Sequence, residues 1–216
     1  MSAIGKKQED IEVFANHCVF VLSIYHHLRL IYETSSADDH ARLHKAASIF
    51  FGDLHQMLVE YVVLQACKIT DPAKDIRNNE NHTVSFLLDH YGLRGDAALG
   101  PQLLALEKSI LDFRKKILPA RNKFISHADR DAILAGAPLG ATGPGDWNQF
   151  WADLDQMVNL IHQKIIGTEM KLSDVAIISD ADGLLKALQS AAHFESLLGD
   201  ANPVVSQRAA ALAHGA

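Results

Sequence analysis

Apolar residues recur every three or four positions along most of the chain, and almost nowhere is there the strict alternation of a half-buried strand. From Glu9 to Glu33, residues Val13, Phe14, His17, Val21, Ile24, Leu28 and Ile31 mark a long amphipathic helix. Thr34 to Asp39 form a polar break rich in capping oxygens. A second helix is predicted from His40 to Ile69, carrying Leu43, Ala47, Phe50, Leu54, Met57, Leu58, Tyr61 and Leu64. Thr70-Asp71-Pro72 ends it, because the residue before a proline is pushed out of helical geometry.

Residues Ala73 to His82 read as a polar loop. A short helix, Val84 to Tyr91, follows, with Thr83 as its cap and Gly92 as its stop. The fourth helix starts near Gln102 and carries Leu103, Leu106, Ile110, Phe113 and Ile117. Pro119 is expected to kink it rather than end it, since the helical pattern resumes over Ala120 to Ala128. Asp129 to Gly145 are rich in Gly and Pro and read as a loop; Asp146 then caps a fifth helix, Trp147 to Ile166. A weaker helix, Asp182 to Leu198, and an Ala-rich tail from Pro203 complete the chain. The predicted fold is a single all-α bundle of about five main helices. Residues 9–170 form that bundle, and residues 171–216 a short helical extension with its tail.

Composition agrees with a globular chain: 48% of the 216 residues are hydrophobic, 21% are charged, and the mean hydropathy is close to zero. Cys18 and Cys67 both fall in apolar helical stretches without CxxC spacing, so they read as buried, reduced thiols. The opening MSAIGKKQED carries charges where a secretory signal has its apolar region. The longest uncharged run, Val13 to Leu28, is interrupted by Asn16 and three histidines and reads as a core helix rather than a membrane span. The chain therefore reads as cytoplasmic, without a membrane partner. Its net charge of −6 excludes broad, sequence-blind binding to polyphosphate.

Three features compete as candidate chemistry. His40 and His44, at i and i+4, could share a metal, yet no third ligand follows at a matching position; they read as exposed polar residues, and no metal or cofactor is expected. Trp147, Phe150 and Trp151 read as packing residues. The third feature is a basic run: Arg114, Lys115, Lys116, Arg121 and Lys123 lie within ten residues that hold no acid. Taking those five charges from the total of −6 leaves −11 on the rest of the chain. Such a concentration is the footprint of a local phosphate site, and equally that of a solvated helix face.

Arg121-Asn122, with His127 five residues after Asn122, gives the run chemical meaning. Cleavage of RNA without a metal needs a group to move protons, a cation for the charge that develops on phosphorus, and an orienting group. Histidine titrates near neutral pH and can move the protons. Arginine offers a planar, permanently charged fork. Asparagine can orient either partner or the ribose. On an ideal helix the six residues from Arg121 to His127 turn the side-chain direction by about 600° and rise ~9 Å, leaving the two ~120° apart. Either the Pro119 kink re-aims Arg121, or a second copy completes the site across a two-fold axis.

With Arg121, Asn122 and His127 inside LPARNKFISHADRD, and KITDPAK closing an earlier helix, the sequence resembles the HEPN superfamily, in its abortive-infection U-type branch. The resemblance covers roughly residues 10 to 170. It implies a homodimeric helical bundle whose motif helices meet at the interface. It further implies a metal-independent endoribonuclease of toxin or anti-phage type, with a nucleotidyltransferase-type antitoxin as a partner. His127 would be the acid/base, Arg121 the phosphate stabiliser and Asn122 the orienting group. Arg114, Lys115, Lys116 and Lys123 would contact the RNA. Other members of the superfamily are non-catalytic nucleotide-binding or interaction modules, which is the alternative reading here. A third reading makes Arg121 and His127 structural, bonded to helix-end carbonyls or to Asp129.

Overall fold

The computed structural model describes residues 3–122, 142–176 and 179–200, and among them every regular element is helical. The elements are α1 (Ala3–Leu28), running into a π-helical turn (Arg29–Glu33); α2 (Ala37–Ile69); α3 (Val84–His90); α4 (Gly100–Ala120); α5 (Pro144–Ile165); α6 (Leu172–Val175); and α7 (Ser179–Asp200). The all-α fold expected from the sequence is the observed one. The chain divides into two compact units that interleave in sequence. The first holds Met1–Tyr25 and Met57–Ala176, the second His26–Gln56 and Ile177–Ala216. Two of the boundaries fall inside α1 and α2, where no linker composition could mark them.

In the first unit, α1 buries Ile11, Phe14, Ala15, Cys18, Val21, Leu22 and Tyr25, the i, i+3, i+4 spacing of one helix face. That stripe is rotated from the expected one: Val13 is exposed, whereas Cys18 and Tyr25 are inside. The end of α2 contributes Val62, Ala66, Cys67 and Ile69 to the same core. Both cysteines are free and buried, as expected. Thr83 caps α3 by accepting the Phe86 N–H at 3.2 Å, and Gly92 stops the helix in the left-handed region at φ 65°. Gly100 opens α4 against the preceding turn, where a Cβ would stand 2.7 Å from the Arg94 carbonyl oxygen.

α4 and α5 are held together by an aromatic cluster. Phe113 stacks on Phe150 at 4.6 Å between centroids and meets Trp147 edge-on at 4.7 Å, while Tyr25 lies against Trp147 and Trp151. Phe150 and Trp151 are buried, which settles their role as packing residues. Across the same interface Ser109 donates to Asp153 at 2.6 Å. Buried Glu107 receives both Arg94 and the Ser85 hydroxyl. Asp146 is not the N-cap of α5. It sits at the third helical position, and its carboxylate accepts the N–H of the capping Gly143 at 3.0 Å, because Pro144 and Gly145 already occupy the first turn.

In the second unit, Ile31, Leu43, Ala181 and Leu185 form the core, lined by Leu30, Tyr32, Phe51, Leu184 and Leu188. Ser36 and Asp39 cap the start of α2 reciprocally, as the polar break predicts. α2 is broken at Ala47, whose φ of −166° is extended backbone that any residue adopts. From His44 to Tyr61 no residue of α2 is buried, and Phe50 and Met57, expected on its inner face, are more than half exposed. Among the described residues α2 is the one helix long and apolar enough to cross a membrane, although its last turns pack inside the first unit.

Asp39 ties the two ends of this unit together. It accepts from the Ser36 hydroxyl at 2.6 Å, Gln189 on α7 at 3.0 Å and Arg42 at 2.6 Å. The Ser36 and Gln189 bonds hold its carboxyl down at about 2, below the ordinary 3.8. A depressed folded value stabilises the fold above the unfolded pKa and loses that contribution as pH falls. Amide exchange in α7 is therefore expected to accelerate between about pH 4 and 2. Asp39→Asn should flatten that dependence, and hydrogen-exchange mass spectrometry of α7 across this range checks it.

Candidate functional site

The candidate site grows from the end of α4. Pro119 is accommodated within the helix, and a π-type turn follows at Arg121 and Asn122. The Arg121 N–H is shared between the Ile117 and Leu118 carbonyls, the i−4 and i−3 bonding common at a helix end. Lys123 and His127 lie outside the described residues.

The basic run is far less basic in the fold than in the sequence. Arg114 reaches the end of α2, where Nη2 donates to Asp71 at 2.6 Å and Nη1 to the Cys67 carbonyl at 3.2 Å. A cation on the last carbonyls of a helix also meets the negative end of its dipole. Lys115 pairs with Asp112 at 2.7 Å, and Lys116 crosses to Asp146 on α5 at 2.6 Å. The lysines on either side hold the Asp112 carboxyl down at about 2, chiefly through hydrogen bonds from Lys108 and then Lys115.

Arg121 differs from these three cations. Within the described part of the run it alone has no carboxylate within ion-pair distance among the described residues. Its Nε is buried without a hydrogen-bond partner, and Nη1 donates to the Oδ1 of its neighbour Asn122 at 3.1 Å. Asn122 itself is exposed. The buried Cys67 thiol is pushed up to about 11 by desolvation, with the charges of Arg114 and then Arg121 pulling against it. The motif arginine thus keeps an unspent donor in a partly desolvated setting, where an anion is bound more strongly than in water.

The HEPN family model described as AbiU2 matches residues 9–184, most of the chain. The chain belongs to the HEPN AbiU2 family. That membership agrees with the all-α fold and places the chain among abortive-infection HEPN proteins. Neither a curated protein nor a solved structure matches it.

Elsewhere, His40 and His44 border a shallow groove in the second unit with Tyr32, Phe51 and His55. Among the described residues no three His, Cys, Asp or Glu side chains converge in a way that could hold a metal. Sequence reasoning missed Asp71 and the Cys67 carbonyl as the partners of Arg114, because no local pattern links residues 43 and 47 positions apart.

Proposed function

We propose that this HEPN AbiU2 protein is a cytoplasmic, metal-independent endoribonuclease of toxin or anti-phage type. The observation that carries the reading is the buried, unpaired Nε of Arg121 in a run whose other described cations are ion-paired. Arg121 binds a phosphate oxygen and stabilises the charge that develops at phosphorus. His127 moves the protons: the ribose 2′-hydroxyl loses its proton as its oxygen bonds to phosphorus, and the departing 5′-oxygen gains one. The P–O5′ bond breaks, leaving a 2′,3′-cyclic phosphate and a 5′-hydroxyl. Asn122 orients the arginine or the ribose, and Lys123 adds a phosphate contact.

Two copies of the chain supply two such motifs to one cleft, which relieves the ~120° divergence of Arg121 and His127 on an ideal helix. A nucleotidyltransferase-type antitoxin remains the proposed partner. Lys115 and Lys116, although ion-paired, are 75% and 47% exposed and can exchange a carboxylate for an RNA phosphate.

Arg121→Met is expected to lower cleavage of single-stranded RNA by roughly 10²–10³-fold, the scale for losing one transition-state donor. Thermal unfolding should change little, since the side chain makes no ion pair among the described residues. Cleavage kinetics beside a melting curve check both. Equal cleavage by the variant and the wild type would remove Arg121 from the chemistry. RNA or dinucleotide binding by an inert wild type would instead identify a binding module.

A further inference from the structure

Between α2 and α3 the chain makes a loop that its own hydrogen bonds hold in shape. Lys74 and Glu80 pair as an isolated antiparallel bridge, and Asn78 turns the chain in the left-handed region at φ 66°. The Asp75 carboxylate accepts the N–H groups of Arg77 and Asn79 at 2.8 Å each and the Asn79 side-chain amide at 2.9 Å. On this scaffold Ile76 stands wholly in water, at 103% exposure, and Arg77 beside it has no ion pair among the described residues. A lone exposed aliphatic residue is ordinary on a protein surface. One held out by backbone that is already ordered is a knob that docks at little entropic cost.

Two shallow grooves flank Phe86 at the base of the same loop. One holds Lys74, and its Asp89 is already paired with Arg94. The other, of about 330 Å³, is lined by Val13 and Phe86 with Glu9, Asp10 and Glu80, and by no lysine or arginine among the described residues. Asp10 accepts the Tyr91 hydroxyl at 3.0 Å, whereas Glu9 and Glu80 have no ion pair among the described residues. A cavity of roughly 150 Å³ holds a benzene ring, so this groove has room for a branched aliphatic side chain and a guanidinium.

Knob and groove therefore match twice, apolar to apolar and cation to carboxylate, yet the exposure of Ile76 shows that it does not fill its own groove. The tip lies two residues beyond the Lys74–Glu80 bridge, ~7 Å of extended chain from a residue that lines the groove. We infer that a second copy of the chain docks on this surface about a two-fold axis. Each loop lays Ile76 on the other copy's Val13 and Phe86 and sets Arg77 against its Glu9 and Glu80. The two-fold uses every contact twice and closes the assembly at two copies. Asp71, the partner of Arg114, precedes the loop directly, so the loop leaves from beside α4. The inference gives the proposed dimer a surface, and RNA enters none of its readouts.

Sedimentation velocity of the full chain from about 1 to 100 μM is expected to show a monomer–dimer equilibrium with a micromolar Kd, the scale of a small interface. Arg77→Glu makes the knob acidic like its groove; Glu9→Lys with Glu80→Lys makes the groove basic like its knob. Each variant alone should raise Kd by at least about tenfold and keep the wild-type melting curve, since these side chains are exposed. Mixed one to one, the two should associate within about threefold of the wild type, because every knob then meets a groove of opposite sign. Such complementation between chains has no cause within one chain. Should the groove variant not fold, Glu9→Lys alone, which leaves the bridge untouched, is read the same way. A wild type that is monomeric at about 100 μM overturns the inference and leaves the knob to a different protein. Open-ended polymers, variants that dimerise like the wild type, or a mixture no tighter than either variant alone overturn it too. These last two results leave the proposed nuclease standing, dimeric through another face.

Discussion

His127→Ala is expected to lower RNA cleavage by roughly 10²–10⁴-fold, the contribution of a positioned acid/base. The residue follows Arg121-Asn122 at the spacing that defines the motif, in a family whose model spans this part of the chain. No other histidine of the first unit serves as a substitute. His17 bonds Gln65, His162 bonds the Thr168 carbonyl, His82 meets Phe86 edge-on and His90 stacks on it. The variant should retain the wild-type melting curve and the wild-type affinity for a non-cleavable 2′-deoxy oligonucleotide. Growth arrest on expression should vanish with cleavage. Undiminished cleavage by His127→Ala would assign the proton transfers elsewhere.

Phe150→Ala is expected to be the most destabilising single change named here, at about 3–5 kcal/mol. Phe150 is 1% exposed and lies at the centre of the cluster that joins α4 to α5, touching Phe113, Trp147 and Trp151. Removing the ring opens a cavity against three other aromatic rings, which are stiff and cannot all move inward to fill it. At roughly 2–4 °C per kcal/mol for a chain of this size, the melting temperature should fall by about 6–20 °C. Because α4 carries Arg121, activity measured well below that midpoint should survive, whereas activity near it should be lost. Calorimetry with parallel cleavage assays separates the two effects.

What the sequence made legible was local chemistry. Thr83 and Gly92 bound α3 because a cap and a left-handed stop act within one turn. Pro119 could be placed inside a helix because the apolar pattern resumed beyond it. The phase of a wide apolar face was harder to read. With apolar side chains all round α1, Val13 and Cys18 are equivalent by pattern, and only packing distinguishes them. Ala47 breaks α2 in a conformation that any residue accepts, so no letter marks the break. The second unit escaped notice for a related reason. α7 joins His26–Gln56 through Asp39 and Gln189, 150 positions apart, and no local rule links them.

The site shows the same division. The Arg-Asn-x4-His spacing is written in adjacent letters and could be read directly. The neutralisation of its basic surroundings could not, because Asp71, Asp112 and Asp146 approach from three different places in the chain. A run that counts as +5 in the sequence becomes, over its described part, one open arginine. That changes the expected partner. A surface with so few free cations does not track a long polyanion, and it suits a few phosphates gripped at one point.

The most direct measurement is end-group analysis of single-stranded RNA incubated with the purified protein in excess EDTA. Cleavage that persists under chelation, with 2′,3′-cyclic phosphate and 5′-hydroxyl ends, is the expected result. Intact RNA, or cleavage that stops with the chelator and leaves 3′-hydroxyl and 5′-phosphate ends, would contradict a metal-independent attack by the 2′-hydroxyl at Arg121 and His127.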